Sequence, residues 1–374
     1  MAEKTITADE RRDALVEKIF ADSIAFMEIL GVYLGDKLGL YAAMSDGAWM
    51  SAPELASRAK VNERYAREWL EFQAVSGVLD AECDSVEDDS VEDDSAEPFG
   101  RRYRIPEGHD EVLLDRDSLA YVTPLAKQMV GLARPLPALI EAMKSGGGVS
   151  FPEYGEDIRE GIEFGNRAMF VNLMGEWISA VPDLHERLSS SHSPARVADI
   201  GCGSGWSSIS IAKAYPNARV DGLDLDGDSI EAARRNAASE GLEDRLSFQL
   251  RDASAPELSG TYDFAIAIEC IHDMSRPVEA LRAMRSLVGE SGTVVVVDER
   301  VGDEFVAPGE DVDRLYYGFS VLHCLPVGMS EKPSAETGTV MRTDTLGGYA
   351  REAGFSEVEV LPVENDMWRF YRLR

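Results

Sequence analysis

Residues 197–206 read VADIGCGSGW, a run of apolar strand formers that ends in an acid and three glycines at alternate positions, Gly201, Gly203 and Gly205. A helical pattern begins at once with Trp206. Glycine lacks a Cβ and tolerates positive φ, and the first turn of a helix offers unpaired N–H groups. The segment therefore predicts a strand, a tight turn and a helix start, with bare backbone that a nucleotide-like ligand can approach. A purely structural turn has the same composition, so the following residues must decide. The helix from Trp206 to Tyr215 is stopped by Pro216, and a second strand, ARVDGLDLD, puts Asp224 23 residues beyond Gly201 (224 − 201). Dinucleotide folds place the acid that binds ribose hydroxyls at roughly this offset, about 20 residues after the glycines.

The alternation continues. Asp228, Ser229, Ile230 and Glu231 resemble a capping box for a helix that runs to Gly241,. The strands LSFQL and YDFAIAIEC lead to Asp252 and Cys270, a helix covers Pro277 to Val288, and TVVVVDE follows. These apolar runs do not alternate with polar residues, as expected of parallel strands covered on both faces. A helix near Asp344 to Ala353 and the segments SEVEVLPV and WRFYRLR predict a closing antiparallel pair.

The glycine spacing, GxGxG directly after Asp199, differs from the dinucleotide fingerprint GxGxxG,. Here the chain resembles the class I S-adenosylmethionine-dependent methyltransferases, in order of elements as well as in motif. The resemblance implies an α/β fold with a Rossmann-like seven-stranded methyltransferase sheet and S-adenosyl-L-methionine as cofactor. It implies that Asp199, Gly201, Cys202, Gly203 and Gly205 form the turn at the methionine end. Asp224 would lie at the ribose and Asp252 at the adenine, with Leu225, Ala253 and Glu269 as further cofactor contacts.

Ligands of open α/β sheets bind beyond the carboxyl ends of the strands, where this chain reads ECIHDM,. Small-molecule O-methyltransferases with a similar front domain carry a His-Asp pair at this place, often followed by Trp, and the resemblance makes His272 the general base. Met274 stands at the Trp position. A neutral imidazole suits removal of a hydroxyl proton near neutral pH, although a His packed beside the cofactor fits the same position. Asp273 is the candidate for orienting the ring. Asp298 and Glu299, after the fifth strand, read as a catechol-type metal pair or as a solvated strand end, and no metal site is expected. His323, beside Cys324, is a second base candidate or a core histidine. The (D/N)PP(Y/F) motif of adenine-type amino-methylating enzymes has no counterpart after the fourth strand.

In the front half, apolar residues recur at helical spacing from Asp9 to about Met44, with an expected interruption near Gly31 to Gly39. Long leading helices often pack on a second subunit, and a homodimer through them is expected. Two short helices, SAPELASRA and NERYAREWLEFQAVSG, and a strand pair flanking the acidic insert Asp84 to Glu97 resemble a winged helix. Its recognition candidate, Glu63 to Ser76, carries Glu63, Glu68 and Glu71 beside Arg64 and Arg67, which disfavours phosphate,. In methyltransferases that resemble this chain the front domain serves dimerisation and walls the substrate pocket. A regulator that binds DNA and uses the cofactor as effector is the competing class. The insert is too polar to bury a core and is expected to be disordered. Three segments follow: a winged-helix and dimerisation domain over 1–117, a helical linker and pocket segment over 118–190, and the cofactor domain over 191–374. Phe151, Tyr154, Phe164, Met169, Phe170, Met174 and Trp177 mix core packing with a lining for a small, aromatic or apolar methyl acceptor.

The net charge of −31, with eight Lys among 37 basic residues, makes a surface that repels itself unless screened. A salt-rich cytoplasm is the natural reading, and nucleic acid is disfavoured. Cys83, Cys202, Cys270 and Cys324 form no CxxC, and no apolar span or signal peptide is found,. A soluble cytoplasmic protein without membrane partners is expected.

Overall fold

The computed structural model describes residues 6–83, 100–254 and 262–374. The insert Asp84 to Glu97 lies outside the described residues. The chain divides into two compact units, residues 1–130 and 131–374.

In the first unit, Thr7 and Glu10 cap each other's backbone and start one continuous helix, Ala8–Lys37. The interruption expected near Gly31 is not there. Gly31 and Gly35 lie inside the helix and are buried. A Cβ on Gly35 would come within 2.7 Å of Trp69, and the Trp69 indole donates to the Gly31 carbonyl at 2.9 Å. The glycines let an aromatic ring approach the helix backbone, and the chain turns only at Gly39, whose φ is 66°. Ser51 and Glu54 form a capping box for the helix Ala52–Ala59, and Asn62 caps Glu63–Val75. Strands β1 (Asp80–Cys83) and β2 (Arg101–Arg104) pair antiparallel. Leu55, Leu70, Trp69 and Tyr103 form the small core of this winged helix.

In the second unit, strands β3 (Arg196–Ile200), β4 (Arg219–Asp224), β5 (Leu246–Leu250), β6 (Phe264–Ile268), β7 (Thr293–Glu299), β8 (Val358–Val360) and β9 (Trp368–Leu373) form one sheet among the described residues. The order is β5-β4-β3-β6-β7-β9-β8. β3 to β7 are parallel, and β9 pairs antiparallel with both β7 and β8. This is the seven-stranded sheet that the resemblance implied, with its closing antiparallel pair. The chain leaves β3 toward β4 on one side and β6 lies on the other, so the loops after β3 and β6 adjoin at the switch point, where such sheets bind ligands,.

The long helical segment Phe151–Ser179, kinked at Gly155, covers one face, burying Phe170, Met174 and Trp177 against Trp368 and Phe370. Leu281, Met284 and Leu346 of the helices Pro277–Val288 and Thr343–Ala353 cover the other face. Each such side chain stabilises the fold by roughly 1.5–3 kcal/mol. Phe170, Met174 and Trp177 thus serve the core. After β4 the helix begins two residues earlier than the capping-box reading: Asp226 is its cap, accepting from the Ser229 amide at 2.9 Å and hydroxyl at 2.7 Å. No helix among the described residues is long and apolar enough to cross a membrane.

Candidate active site

At the glycine turn the three glycines answer to different constraints. Gly201 has φ 67°, and a Cβ there would lie 2.7 Å from the Cys270 sulfur. Gly205 backs onto Ala233 and Phe248 at 2.9 Å. Gly203, with φ 49°, has nothing within 4 Å of the Cβ position, so its exposed side is open to a ligand,. Asp199 lies beneath the turn and accepts from the Ser207 and Ser208 hydroxyls at 2.6 Å each. Burial raises its carboxyl to about 6. Cys202 is buried, and its sulfur packs where a Cβ on Gly222 of β4 would stand.

Asp224, at the end of β4, uses one oxygen to accept from the Gly203 amide and the other from the Asp226 amide, both at 2.8 Å. A carboxylate has about four acceptor sites, so each oxygen keeps one for a vicinal diol. Burial raises the Asp224 carboxyl above its usual value. The next residue, Leu225, is 63% exposed, an apolar face beside that acid. Asp252, past β5, accepts from Ser254 at 2.6 and 2.7 Å and from Arg276 at 2.7 Å. Ala253 is buried.

The helix Phe151–Ser179 supplies residues that sequence reasoning missed. Arg159 grips Asp226 with two bonds of 2.7 and 2.9 Å. Glu163 accepts from the Trp206 indole at 3.1 Å and from Asn236 at 2.9 Å, and Asn236 also donates to the Ser204 carbonyl at 3.0 Å. These bonds tie the helix to the glycine turn and to the helix after β4. Nothing in the local pattern around Glu163 marks it, because its partners lie far along the chain.

Beyond β6, Glu269 has φ 51° in the left-handed region, a conformation that costs a non-glycine residue on the order of 1–3 kcal/mol. Its carboxyl accepts from the Trp368 indole at 2.8 Å and from Asn166. Burial, reinforced by Glu299, raises it to about 7. His272 sits in a short helical turn, Ile271–Asp273, and is 2% exposed. Its Nδ1 lies 2.8 Å from Asp298 Oδ1 and 3.0 Å from Glu299 Oε2. Asp298, not the neighbouring Asp273, therefore orients the ring, because side chains of adjacent residues diverge while the end of β7 lies beside that of β6. Asp298 and Glu299 are buried, which corrects the solvated strand end. Burial alone would lower the imidazole, but the neighbouring acids, Asp298 first, raise it well above 6.5. Burial raises Asp273 to about 7.

His272, Asp298 and Glu299 place three potential ligand atoms within 4.8 Å of one another. The N–H···O bond to Asp298 already accounts for that spacing. The remaining oxygens, Asp298 Oδ2 and Glu299 Oε2, have essentially no accessible surface. They leave no room for the fourth and further ligands that common divalent ions require. His323 is buried edge-on to Tyr154, with ring centroids 4.6 Å apart, and burial lowers it to about 3. It stays neutral and takes the core role.

Residues 191–341 match the model of a methyltransferase domain, and residues 25–88 match that of an Rv2258c-like winged HTH domain. Over 136 residues the chain is 28% identical to ajmaline N-methyltransferase of Rauvolfia serpentina, covering 36% of this chain and 45% of that enzyme. The chain thus spans less than half the length of this curated relative. Among solved structures it resembles an O-methyltransferase family protein from Burkholderia thailandensis, with TM-score 0.65, 17% identity and coverage of 99% and 98% of the two chains. It also resembles human N-acetylserotonin methyltransferase in complex with SAM, with TM-score 0.66, 14% identity and coverage of 100% and 99%.

Proposed function

We propose that this chain, which joins a methyltransferase domain to a winged helix-turn-helix domain, transfers the methyl group of S-adenosyl-L-methionine to a hydroxyl of a small, apolar or aromatic acceptor. The observation that carries the choice of oxygen is His272 at the end of β6, its Nδ1 held by buried Asp298 at 2.8 Å. That bond fixes the tautomer, and Nε2 would take the acceptor's proton.

The open side of Gly203 and the spare acceptor sites of Asp224 fit the cofactor. Gly201, Cys202, Gly203 and Gly205 would hold its methionine end, with Asp199 bracing the turn from below. Asp224 would hold the ribose hydroxyls, Leu225, Asp252 and Ala253 the adenine, and Glu269 would flank the sulfur. When bound, the cofactor supplies an electrophilic methyl on a good leaving group. His272 removes the hydroxyl proton as oxygen attacks, the backbone turn fixes the methyl donor's position, and the buried surroundings exclude water.

The winged-helix unit serves dimerisation. Leu15, Val16, Ile19 and Phe20 of its first helix are each more than half exposed and recur at helical spacing. On the recognition helix Glu68 engages Arg64, and Glu71 engages Arg101 of β2, which leaves that helix poorly suited to phosphate,. Light scattering should then give twice the chain mass.

Two measurements test the reading. Calorimetry should show S-adenosyl-L-methionine binding, and labelled methyl should pass to hydroxyl compounds in a panel of phenols, alcohols and amines. Absence of binding sinks the reading, and transfer to amines alone overturns the choice of oxygen. The sign of the pH dependence follows from the raised imidazole. His272 is protonated and inactive as a base below its titration, so the rate should climb with pH on the alkaline side of 6.5,.

A further inference from the structure

The His272 cluster holds one acid more than the base needs. An imidazole Nδ1 carries a single hydrogen, and here it goes to Asp298 Oδ1 at 2.8 Å. Asp298 Oδ1 also accepts from the Glu299 backbone amide at 3.1 Å. Glu299 Oε2, 3.0 Å from the same nitrogen, receives no hydrogen bond, and neither does Asp298 Oδ2. Both orphan oxygens lack accessible surface, so water cannot satisfy them. Two ionised carboxylates so placed would each pay the desolvation penalty of an unpaired charge.

We infer that Glu299 is the protonated member of this pair: its carboxylic acid donates to the Asp298 carboxylate, and Asp298 alone accepts the Nδ1–H of His272. One proton turns two orphan acceptors into a donor and an acceptor and needs no space. The cluster is then neutral when His272 is an imidazolium and carries a single negative charge when it is a base. Glu299 is a positioning residue, acting through Asp298 to limit how basic His272 becomes.

The surroundings agree. The groups facing Glu299 are Asp298 on its own strand, His272 and Asp273 in the turn after β6, Glu269 at the end of β6, Cys324 in the segment Ser320–Cys324, and Tyr316 in the helix Asp311–Phe319. Apart from His272 none of them brings a positive charge. Burial, opposed by His272 and reinforced by Asp298, raises the Glu299 carboxyl above the usual carboxylate range.

The significance of the pair rests on the base role proposed for His272, but its test does not. Nitrogen-15 NMR of histidine-labelled protein, with the His272 signals assigned by His272→Gln, follows the ring through its titration without cofactor or acceptor. Glutamine mimics a protonated Glu299, so Glu299→Gln should leave the midpoint within about half a pH unit of the parent. Asp298→Asn should lower it by about one unit or more. An equal fall in both variants overturns the proposal. Infrared spectra give a second reading on the parent fold. With glutamate carboxyls isotope-labelled, a glutamic acid absorption just below pH 7 should survive Glu269→Gln and disappear in Glu299→Gln. Its absence after Glu269→Gln overturns the proposal even if Glu299→Gln does not fold. Calorimetry with S-adenosyl-L-methionine on the same samples shows separately whether the methyltransferase reading holds.

Discussion

The glycine turn and the His272 cluster lie at adjoining strand ends but are built in opposite ways. The turn comes from one short stretch, Asp199 to Asp226, and its working parts are backbone amides, positive φ angles and one carboxylate that accepts from two of those amides. The cluster gathers side chains from Asn166, Glu269, His272, Asp298, Glu299, Cys324 and Trp368, far apart in the chain. A site made of backbone is written in local sequence, because glycine spacing dictates local geometry. A site made of buried side chains depends on which strands lie side by side and on what covers them.

The two sites should fail differently under mutation, and the largest effect belongs to the cluster. His272→Ala should lower turnover by roughly 10²- to 10⁴-fold while cofactor affinity measured by calorimetry stays near the parent's. Near-parent turnover on every acceptor would return His272 to packing and erase the division of labour between the sites. The turn should show the converse behaviour. Asp224→Ala removes a charge-assisted acceptor, and cofactor affinity should fall about tenfold to a hundredfold, equivalent to roughly 1.5 to 3 kcal/mol. An unchanged dissociation constant would take Asp224 out of the site.

Two alanine substitutions sharpen the comparison within the turn itself. Gly201→Ala puts a methyl 2.7 Å from the Cys270 sulfur at φ 67°, and should destabilise the fold by about 1–3 kcal/mol in denaturant titration. Adding Cys270→Ala should recover only the sulfur's share, because the Cβ of residue 270 stays 2.8 Å away. Gly203→Ala meets nothing within 4 Å and adds only the backbone strain of φ 49°, about 1–2 kcal/mol,, so beyond that strain its effect should be on cofactor affinity. If Gly203→Ala lost as much stability as Gly201→Ala without loss of affinity, the open side of the turn would not be a ligand face.

The smallest effect concerns the whole surface. With a net charge of −31, the thermal midpoint should rise from low to molar KCl as repulsion is screened. A midpoint indifferent to salt would leave the acidic bias without the salt-rich setting read from composition.

Several particulars show what could be read in advance. The succession of strands along the chain and the closing antiparallel pair followed from apolar runs between glycine and proline stops, and their assembly into one seven-stranded sheet from the resemblance. The position of His272 followed from its place just past a buried strand. Its partner did not. Asp298 and Glu299 end a strand, where acids are commonly solvated, and the antiparallel return of β9, with Glu299 opposite Trp368, joins Tyr316 and Cys324 in enclosing them. Gly31 and Gly35 read as helix breakers, yet an aromatic ring packed against them keeps the helix whole.

The sequence by itself determined the α/β alternation, the glycine turn and the acids and histidine at the strand ends, because these depend on periodicity and on backbone freedom within a few residues. Tertiary structure alone decided which acid holds His272, why Glu269 is buried in a left-handed conformation, and which residues of the long helix brace the turn. Those outcomes depend on desolvation and on contacts between distant segments, and burial is a property of what packs over a residue, not of its neighbours in the chain.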